Sequence, residues 1–218
     1  MLNSAEVRWF FEGDIDATVD AWFRAESIVE LKVEDRRDGY LVFPGSESVG
    51  VKLRDFDDPK SGKFEVKASI GAAETLTLAT QVYGRADTWS KWSFDTEDFE
   101  PWVQAITKGD PRHPAEPTWV NAHKLRLLRK FSLDTGSPLE VAPTQHPVNG
   151  CNAEIVQLQV GVEKWWTFGF ESFGSRFDVR SNLRAVAGHW FRTRGVLDAR
   201  LRVSQSVAYP TWAAGFIG

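Results

Sequence analysis

The sequence contains a single cysteine, Cys151, and only four histidines among its 218 residues. One cysteine cannot form a disulfide within the chain, and the histidines lack the spacing of zinc ligands, so the sequence argues against a disulfide-based or zinc-dependent fold. No apolar run has the length of a membrane span, and residues 1–10 lack the pattern of a signal peptide. We therefore expect a reduced, cytoplasmic protein with no membrane partner.

Several well-known catalytic motifs are also missing from the sequence. It has no G-x-x-x-x-G-K-[ST] loop, no G-x-G-x-x-G after a strand, and no visible Ser-His-Asp or Cys-His arrangement. These absences argue against P-loop enzymes, Rossmann dehydrogenases and hydrolases with a catalytic triad. The net charge is −4 with both signs mixed along the chain, which predicts no nucleic-acid binding through bulk charge but is compatible with a local basic pocket.

Two short segments alternate apolar and charged residues in the way that a strand with one buried face does. They are residues 51–54 (V-K-L-R) and 64–67 (F-E-V-K), and residues 55–63 between them are rich in turn formers. The pattern predicts a β-hairpin with charged side chains on one face. The simplest interpretation of that face is exposure to water.

Other segments predict a chain of strands with interspersed helices. The predicted strands are residues 6–11, 28–33, 40–43 (after a turn at 35–39), 74–83, 89–94 (after an interruption at Gly84 and Asp87), 123–131, 152–162 and 164–173. Residues 123–131 also have helical spacing, but we favour a strand. The predicted helices run from Asp14 or Asp16 to about residue 25, from Asp95 or Pro101 to residue 109, and over 183–194.

The remaining segments are predicted to be loops or anchors. Three prolines place residues 109–117 in a loop, and residues 135–150 have the composition of an exposed loop. The aromatic residues of the tail, Tyr209 and Trp212, are expected to pack against the body of the protein. The chain is long enough for one full core, so we predict a single α+β domain over residues 1–218.

The charged faces of the predicted strands form one recurring feature. Its members are Glu6, Arg8, Lys52, Arg54, Glu65, Lys67, Lys91, Lys124, Arg126, Glu154 and Glu171. A sheet with one face in water would explain them. However, the apolar stripes of the helices must also cover something, and if they cover the outside of a rolled sheet, the charges point inward. Such a lumen would suit a polyanion, since buried like charges are costly without a ligand.

The order of strand, helix and charged strands resembles the CYTH domain, also called the triphosphate tunnel fold. The resemblance rests on the N-terminal strand at Glu6, the two K-L-R segments at residues 52–54 and 124–126, the E-V-K at 65–67, and the carboxylates Glu154 and Glu171. It implies an antiparallel β-barrel of about eight strands with flanking helices. Many members of that family hydrolyse or rearrange phosphoanhydrides with Mg²⁺ or Mn²⁺.

One departure from the family's sequence pattern bears on whether the protein only binds an anion or also hydrolyses it with a metal. The family's first strand reads E-x-E-x-K, whereas the same frame here holds Glu6, Arg8 and Phe10, which favours anion binding over metal-dependent hydrolysis. The predicted anion-binding residues are Arg8, Lys52, Arg54, Lys67, Lys91, Lys124 and Arg126. If the protein is an enzyme, Glu6, Glu154 and Glu171 would hold Mg²⁺ or Mn²⁺.

We therefore expect a small phosphorylated anion as the partner, either bound or hydrolysed. The alternatives are a non-catalytic binding or protein-interaction module on a tunnel fold, and a lipocalin-like carrier of apolar ligands. The charged strand faces argue against the carrier.

Overall fold

The architecture is described from a computed structural model of the chain. It covers residues 2–43, 45–58, 62–95, 118–197 and 201–217. Within these ranges no helix has both the length and the apolar character needed to cross a membrane.

Ten strands form one sheet, and eight of them close into an antiparallel barrel in the order β1-β10-β9-β7-β2-β3-β4-β6, with β6 pairing back to β1. The two others, β5 and β8, extend β6 and β7 outside the barrel. The α+β barrel with flanking helices that the sequence predicted is thus confirmed. The strands are β1 (Leu2–Glu12), β2 (Glu34–Val42), β3 (Val49–Arg54), β4 (Lys63–Ser69), β5 (Glu74–Ala79), β6 (Val82–Asp95), β7 (Thr118–Ser132), β8 (Leu139–Val141), β9 (Gly150–Val160) and β10 (Glu163–Gly174).

Within the described ranges, three α-helices accompany the barrel: α1 (Ala17–Arg24), α2 (Val179–Arg194) and α3 (Tyr209–Ala214). Short 3₁₀ turns lie at Ser46–Ser48, Val203–Gln205 and Gly215–Ile217. Asp16 caps α1 by accepting a hydrogen bond from the Thr18 backbone N–H at 2.7 Å, as the sequence predicted.

Successive side chains of β1 point alternately to the outside of the barrel and into its lumen. Val7 and Trp9 point outward into the main apolar core, where α2 packs against the barrel through Trp190. Glu6 and Arg8 point inward and line a cavity. The principal hydrophobic core therefore lies outside the barrel, so charged side chains can occupy the lumen without interrupting it.

Helix α3 closes one end of the barrel. The Trp212 ring stacks on Phe10 at 5.0 Å between ring centres, and the Tyr209 ring stacks on Tyr40 at 5.5 Å. These four aromatic residues belong to a second buried apolar cluster, which also contains Val42, Val120, Val156 and Leu158 from the neighbouring strands. The expected anchoring of the aromatic tail is confirmed.

The largest error of the sequence-based prediction concerns the secondary structure of the segment around β2. Residues 28–33 form no strand, and residues 35–39 are not a turn but part of the continuous strand β2. Its charged side chains Glu34, Arg36 and Asp38 alternate like those of the other strands, and β2 pairs with β3 on one side and β7 on the other. The polar run D-R-R-D-G resembles a turn only if its charges are assumed to face water.

Two smaller corrections concern the middle of the chain. The predicted strand over 74–83 is a hairpin, with β5 and β6 joined at a turn where Gln81 has a φ of 66°. Gly84 and Asp87 do not interrupt β6. A Cβ at Gly84 would lie 2.4 Å from a methyl carbon of Val7, so the glycine permits close approach of β1.

Other predictions are confirmed or lie outside the described residues. The predicted hairpin of β3 and β4 is present, with Lys52 opposite Glu65. Residues 123–131 are a strand, the β9–β10 hairpin is present, and α2 starts at Val179, four residues before the predicted helix start. The predicted loop over 135–150 contains the short strand β8. The predicted helix beyond Asp95, which is the last residue of β6, and the predicted loop over 109–117 lie outside the described residues.

Candidate functional site

The barrel encloses a cavity of about 100 Å³ next to α3. Every predicted site residue lies on its wall, which places seven predicted anion-binding residues and three predicted metal ligands around one space. The lining charged residues are the cations Arg8, Arg36, Lys52, Arg54, Lys67, Lys91, Lys124 and Arg126, with the carboxylates Glu6, Glu65, Glu154 and Glu171. The cations outnumber the carboxylates on the wall.

A chain of ion pairs crosses one side of the cavity. The Arg8 Nε donates to Glu6 Oε1 at 2.7 Å, and the Arg8 Nη2 donates to Glu154 Oε2 at 2.9 Å. The remaining carboxylate oxygens contact further cations, with Lys67 Nζ 3.1 Å from Glu6 Oε2 and Arg126 Nη1 2.8 Å from Glu154 Oε1. Each of the two glutamates is thus shared between two cations.

These contacts fix the charge state of both glutamates. Burial alone would raise the pKa of Glu6, but Lys67 and then Arg8 lower it to about 2. Burial opposes ionisation of Glu154 as well, yet Arg126 and Arg8 hold its pKa well below the usual range. Both carboxylates are therefore ionised at neutral pH although they are almost completely buried.

A second ion-pair group lies on the β3, β4 and β6 wall. Lys52 Nζ is 2.7 Å from one oxygen of Glu65, and Lys91 Nζ is 3.2 Å from the other. Burial would raise the pKa of Glu65, but Lys52 and Lys91 hold it well below its usual range. The Lys67 ammonium lies 4.2 Å from the centre of the Trp89 ring, in a cation–π contact.

Exposure of these cations is uneven. The side chains of Lys52, Lys67, Lys91 and Arg54 are 20%, 21%, 26% and 34% exposed, whereas Lys124 near α3 is only 3% exposed. The cavity is therefore open to solvent near the partly exposed cations and closed next to Lys124 by the Tyr209 ring of α3. A ligand entering from solvent meets those cations first.

Four side chains form the closed end. Lys124 Nζ lies 3.1 Å from Asp38 Oδ2, donates a hydrogen bond to the Tyr40 hydroxyl, and sits 3.9 Å from the centre of the Tyr209 ring. Burial would raise the pKa of Asp38, but Lys124 and then Lys52 hold it well below its usual range. Lys124 was predicted as a site residue, but its three neighbours were not. Asp38 was assigned to a turn, and Tyr40 and Tyr209, although correctly assigned to a strand and to the anchored tail, carry no charge that would mark them as lumen residues.

Strand β2, part of which was predicted to be a turn, also contributes Glu34 and Arg36 to the charged groups around the cavity. Arg36 donates to Glu34 at 3.0 Å and to Asp38 at 3.2 Å, and Arg126 reaches Glu34 Oε2 at 2.6 Å. The signal that would have found them is the same alternation that identified the other strands. Even with Glu34 and Asp38 added to the lining carboxylates, the cations remain in excess.

A divalent ion does not fit the predicted set of glutamates. Mg²⁺ and Mn²⁺ take oxygen ligands, with carboxylates as the protein contribution. Both oxygens of Glu6 and both of Glu154 already accept a hydrogen bond from a lysine or an arginine. In the ranges that the structure describes, no three His, Cys, Asp or Glu side chains are arranged to hold a metal ion.

Glu171, the third predicted metal ligand, has a different environment. It lies opposite Glu6 in the pairing of β1 with β10, and it forms no ion pair within 4 Å with any other described residue. Burial lowers the pKa of the Lys91 ammonium, but Glu171 and then Glu65 raise it above its ordinary value. Glu171 therefore acts on Lys91 through space, without a direct ion pair.

No protein-family model matches the chain, and no curated protein matches it. A conserved hypothetical protein from Pyrococcus furiosus shares 11% identity and a TM-score of 0.51, over 91% of this chain and 94% of that one. A protein from Pyrococcus horikoshii OT3 shares 9% identity and a TM-score of 0.50, over 90% and 94%. A Hippeastrum protein described as a candidate adenylyl cyclase with a dominant triphosphatase activity shares 9% identity and a TM-score of 0.43, over 90% and 89%.

Identities of 9% and 11% show a shared fold and nothing about activity. The closed antiparallel barrel of eight strands, with helices outside and charges inside, has the architecture that the resemblance to the triphosphate tunnel fold implied. The resemblance to the CYTH domain that the sequence indicated is thereby confirmed for the fold.

Proposed function

We propose that the protein binds a phosphate-rich anion, such as a triphosphate, a nucleotide or a polyphosphate, in the cavity of its barrel. The observation that carries this proposal is the excess of cationic side chains over carboxylates around one enclosed space. An anion placed there would contact several cations at once, in surroundings where charge–charge attraction is far stronger than in water.

The partly exposed cations are the ones suited to hold the ligand. Lys67 and Lys91 share their carboxylates with Arg8 and Lys52, respectively, so each lysine can turn toward a ligand without leaving its carboxylate unpaired. Arg54 is only loosely paired, at 3.9 Å from Glu34. Multiple phosphate oxygens would satisfy these three side chains together, which favours a ligand of high charge density.

Metal-dependent hydrolysis is the second candidate function, since the resemblance to the triphosphate tunnel fold implies it. The arrangement around Arg8 favours binding without this chemistry, because the oxygens of Glu6 and Glu154 are engaged by cations. We expect no Mn²⁺-dependent phosphate release from tripolyphosphate above the rate of a heat-denatured sample. Turnover that requires Mn²⁺ and disappears in Glu154→Ala would favour the enzyme instead.

Binding is tested by titrating tripolyphosphate, a nucleoside triphosphate and sulfate into the protein, with calorimetry and thermal unfolding as readouts. A ligand at about 100 times its Kd stabilises the folded state by about 3 kcal/mol, which corresponds to a Tm increase of roughly 5–10 °C for a chain of this size. If none of the three anions binds or shifts the Tm, the proposal is wrong.

The location of the site is tested with matched lysine variants. We expect the double variant Lys67→Met/Lys91→Met to weaken tripolyphosphate binding at least tenfold, while Glu6 and Glu65 each keep one cationic partner. Lys164→Met is the control, because Lys164 is half exposed on the β10 strand and pairs only with Asp14 at 3.0 Å among the described residues. Equal losses in both variants would place the binding outside the cavity.

A further inference from the structure

The guanidinium of Arg8 occupies an unusual position between two carboxylates. Its Nε and Nη2 atoms donate to Glu6 and Glu154, at 2.7 and 2.9 Å, and its side chain is 1% exposed. Two adjacent carboxylates that are buried at the same wall repel one another and require a cation between them. In this chain that cation is part of the first strand.

We infer that Arg8 is a built-in replacement for a divalent cation, so that the cavity binds its anion without metal and excludes metal from the Glu6–Glu154 pair. The part of this inference that concerns the anion rests on the proposed function. The part that concerns the cation rests only on the contacts of Arg8 and is tested separately.

The surroundings of Arg8 are shaped to hold it. Gly169 lies opposite Arg8 in the pairing of β1 with β10, and a Cβ at that glycine would lie 3.1 Å from the Arg8 Cβ and 2.8 Å from a backbone oxygen of Val7. The Tyr209 ring lies 4.8 Å from the guanidinium carbon, and the Thr167 hydroxyl accepts from Nη1 at 3.4 Å. Arg8 is therefore fixed by side chains from three elements besides its own.

A fixed guanidinium excludes a metal ion for two reasons. The Arg8 guanidinium uses one oxygen of Glu6 and one of Glu154, while Lys67 and Arg126 use the other two, so no oxygen of these two glutamates is left without a donor. It also places a permanent positive charge where a second cation would have to sit, because arginine does not lose its proton in proteins. The carboxylates would accept a divalent ion only if the guanidinium were removed.

The first test measures Mn²⁺ binding directly, by electron paramagnetic resonance of free Mn²⁺ during titration. We expect the unaltered protein to bind no Mn²⁺ below millimolar concentration and Arg8→Gln to bind it at least tenfold more tightly. Arg8→Lys, which keeps the charge, should behave like the unaltered protein, and Arg8→Gln/Glu154→Gln should lose the gain. Micromolar Mn²⁺ binding by the unaltered protein that Glu154→Gln abolishes would overturn the inference, as would a folded Arg8→Gln variant with no gain.

The second test needs no variant and so does not depend on how well Arg8→Gln folds. Tripolyphosphate is titrated into the unaltered protein in EDTA and again with Mg²⁺ in excess over the ligand. We expect binding in EDTA that is equal to, or tighter than, binding with Mg²⁺. Binding that is tenfold tighter with Mg²⁺ would overturn the inference, whereas no binding in either buffer would refute tripolyphosphate as the ligand and leave the Mn²⁺ titration to decide the role of Arg8.

Discussion

Replacing Glu154 by glutamine should lower the stability of the protein and raise its affinity for the anion. Glu154 is buried and accepts hydrogen bonds from both Arg8 and Arg126. The substitution keeps the size of the side chain and removes its charge. The folded state then has two guanidinium groups with one fewer carboxylate between them, while a bound anion has one fewer competitor for the same cations.

The two effects have magnitudes that follow from these contacts. Removing one partner of a buried ion pair costs about 3–5 kcal/mol. We expect the lower end of that range, because Arg8 keeps Glu6 and Arg126 keeps Glu34. For the ligand, deleting a negative charge roughly 7 Å away at an effective dielectric constant of about 20 is worth about 2 kcal/mol per ligand charge, or roughly 30-fold in Kd before screening by salt.

The assay combines urea unfolding with calorimetric titration of tripolyphosphate at low salt. Glu140→Gln is a matched control, because Glu140 is equally buried and accepts two hydrogen bonds from Arg129, at 2.7 and 2.6 Å, but does not line the cavity. We expect both variants to lose stability and only Glu154→Gln to bind at least tenfold more tightly. Unchanged or weaker binding by Glu154→Gln would refute the reasoning that lumen carboxylates compete with the ligand.

Three further predictions concern the groups that hold the wall together. The pKa of Glu6 is about 2 in the folded chain, below its ordinary value of 4.5. The ionised carboxylate therefore contributes about 3 kcal/mol to the free energy of unfolding above pH 4.5, and this contribution is lost as the pH falls toward 2. Glu6→Gln should flatten this loss of stability in urea unfolding measured from pH 5 to pH 3. Arg129→Met should cost about 3–5 kcal/mol by leaving Glu140 buried without its cation, yet leave anion affinity unchanged in calorimetry. Gly169→Ala should cost about 1–3 kcal/mol in urea unfolding, because its Cβ would lie 2.8 Å from the Val7 backbone oxygen, whereas the same substitution at Gly188 in α2 meets only the end of a flexible arginine.

Much of the barrel could be predicted from the sequence because charged and apolar side chains alternate along its strands with a period of two residues. Strands such as β1 and β3 alternate long charged residues with apolar ones, and the structure places the charges inside and the apolar residues outside. This is the reverse of an ordinary soluble sheet, in which charges face water. The apolar stripes of the predicted helices indicated that the charges face inward, because an apolar stripe such as that of α2 has to pack on the outer surface of the barrel.

The errors in the predicted strands arose where a polar segment was assumed to face water instead of the lumen. The run from Asp35 to Gly39 combines turn-forming residues with charges, and only pairing with β3 and β7 on both sides makes it a strand. Such pairing is a long-range property that no window of sequence contains. The role of Tyr209 was equally hidden, because the sequence indicated that the tail would pack on the body but not that its ring would reach the closed end of the cavity.

The charges of the cavity also determine which ligand it can select. Buried ion pairs contribute little to stability compared with apolar side chains of the same volume, and the core outside the barrel already includes Trp9, Phe168 and Trp190. Stability therefore gives no reason to keep Arg8 and Glu154 in the lumen. Since every lining carboxylate that forms an ion pair is shared by two or more cations, an incoming anion must compete with internal carboxylates for each contact. A singly charged ion would gain too little from that exchange, whereas a chain of phosphates would engage several cations at once, so we propose that the internal carboxylates make the cavity selective for ligands of high charge density.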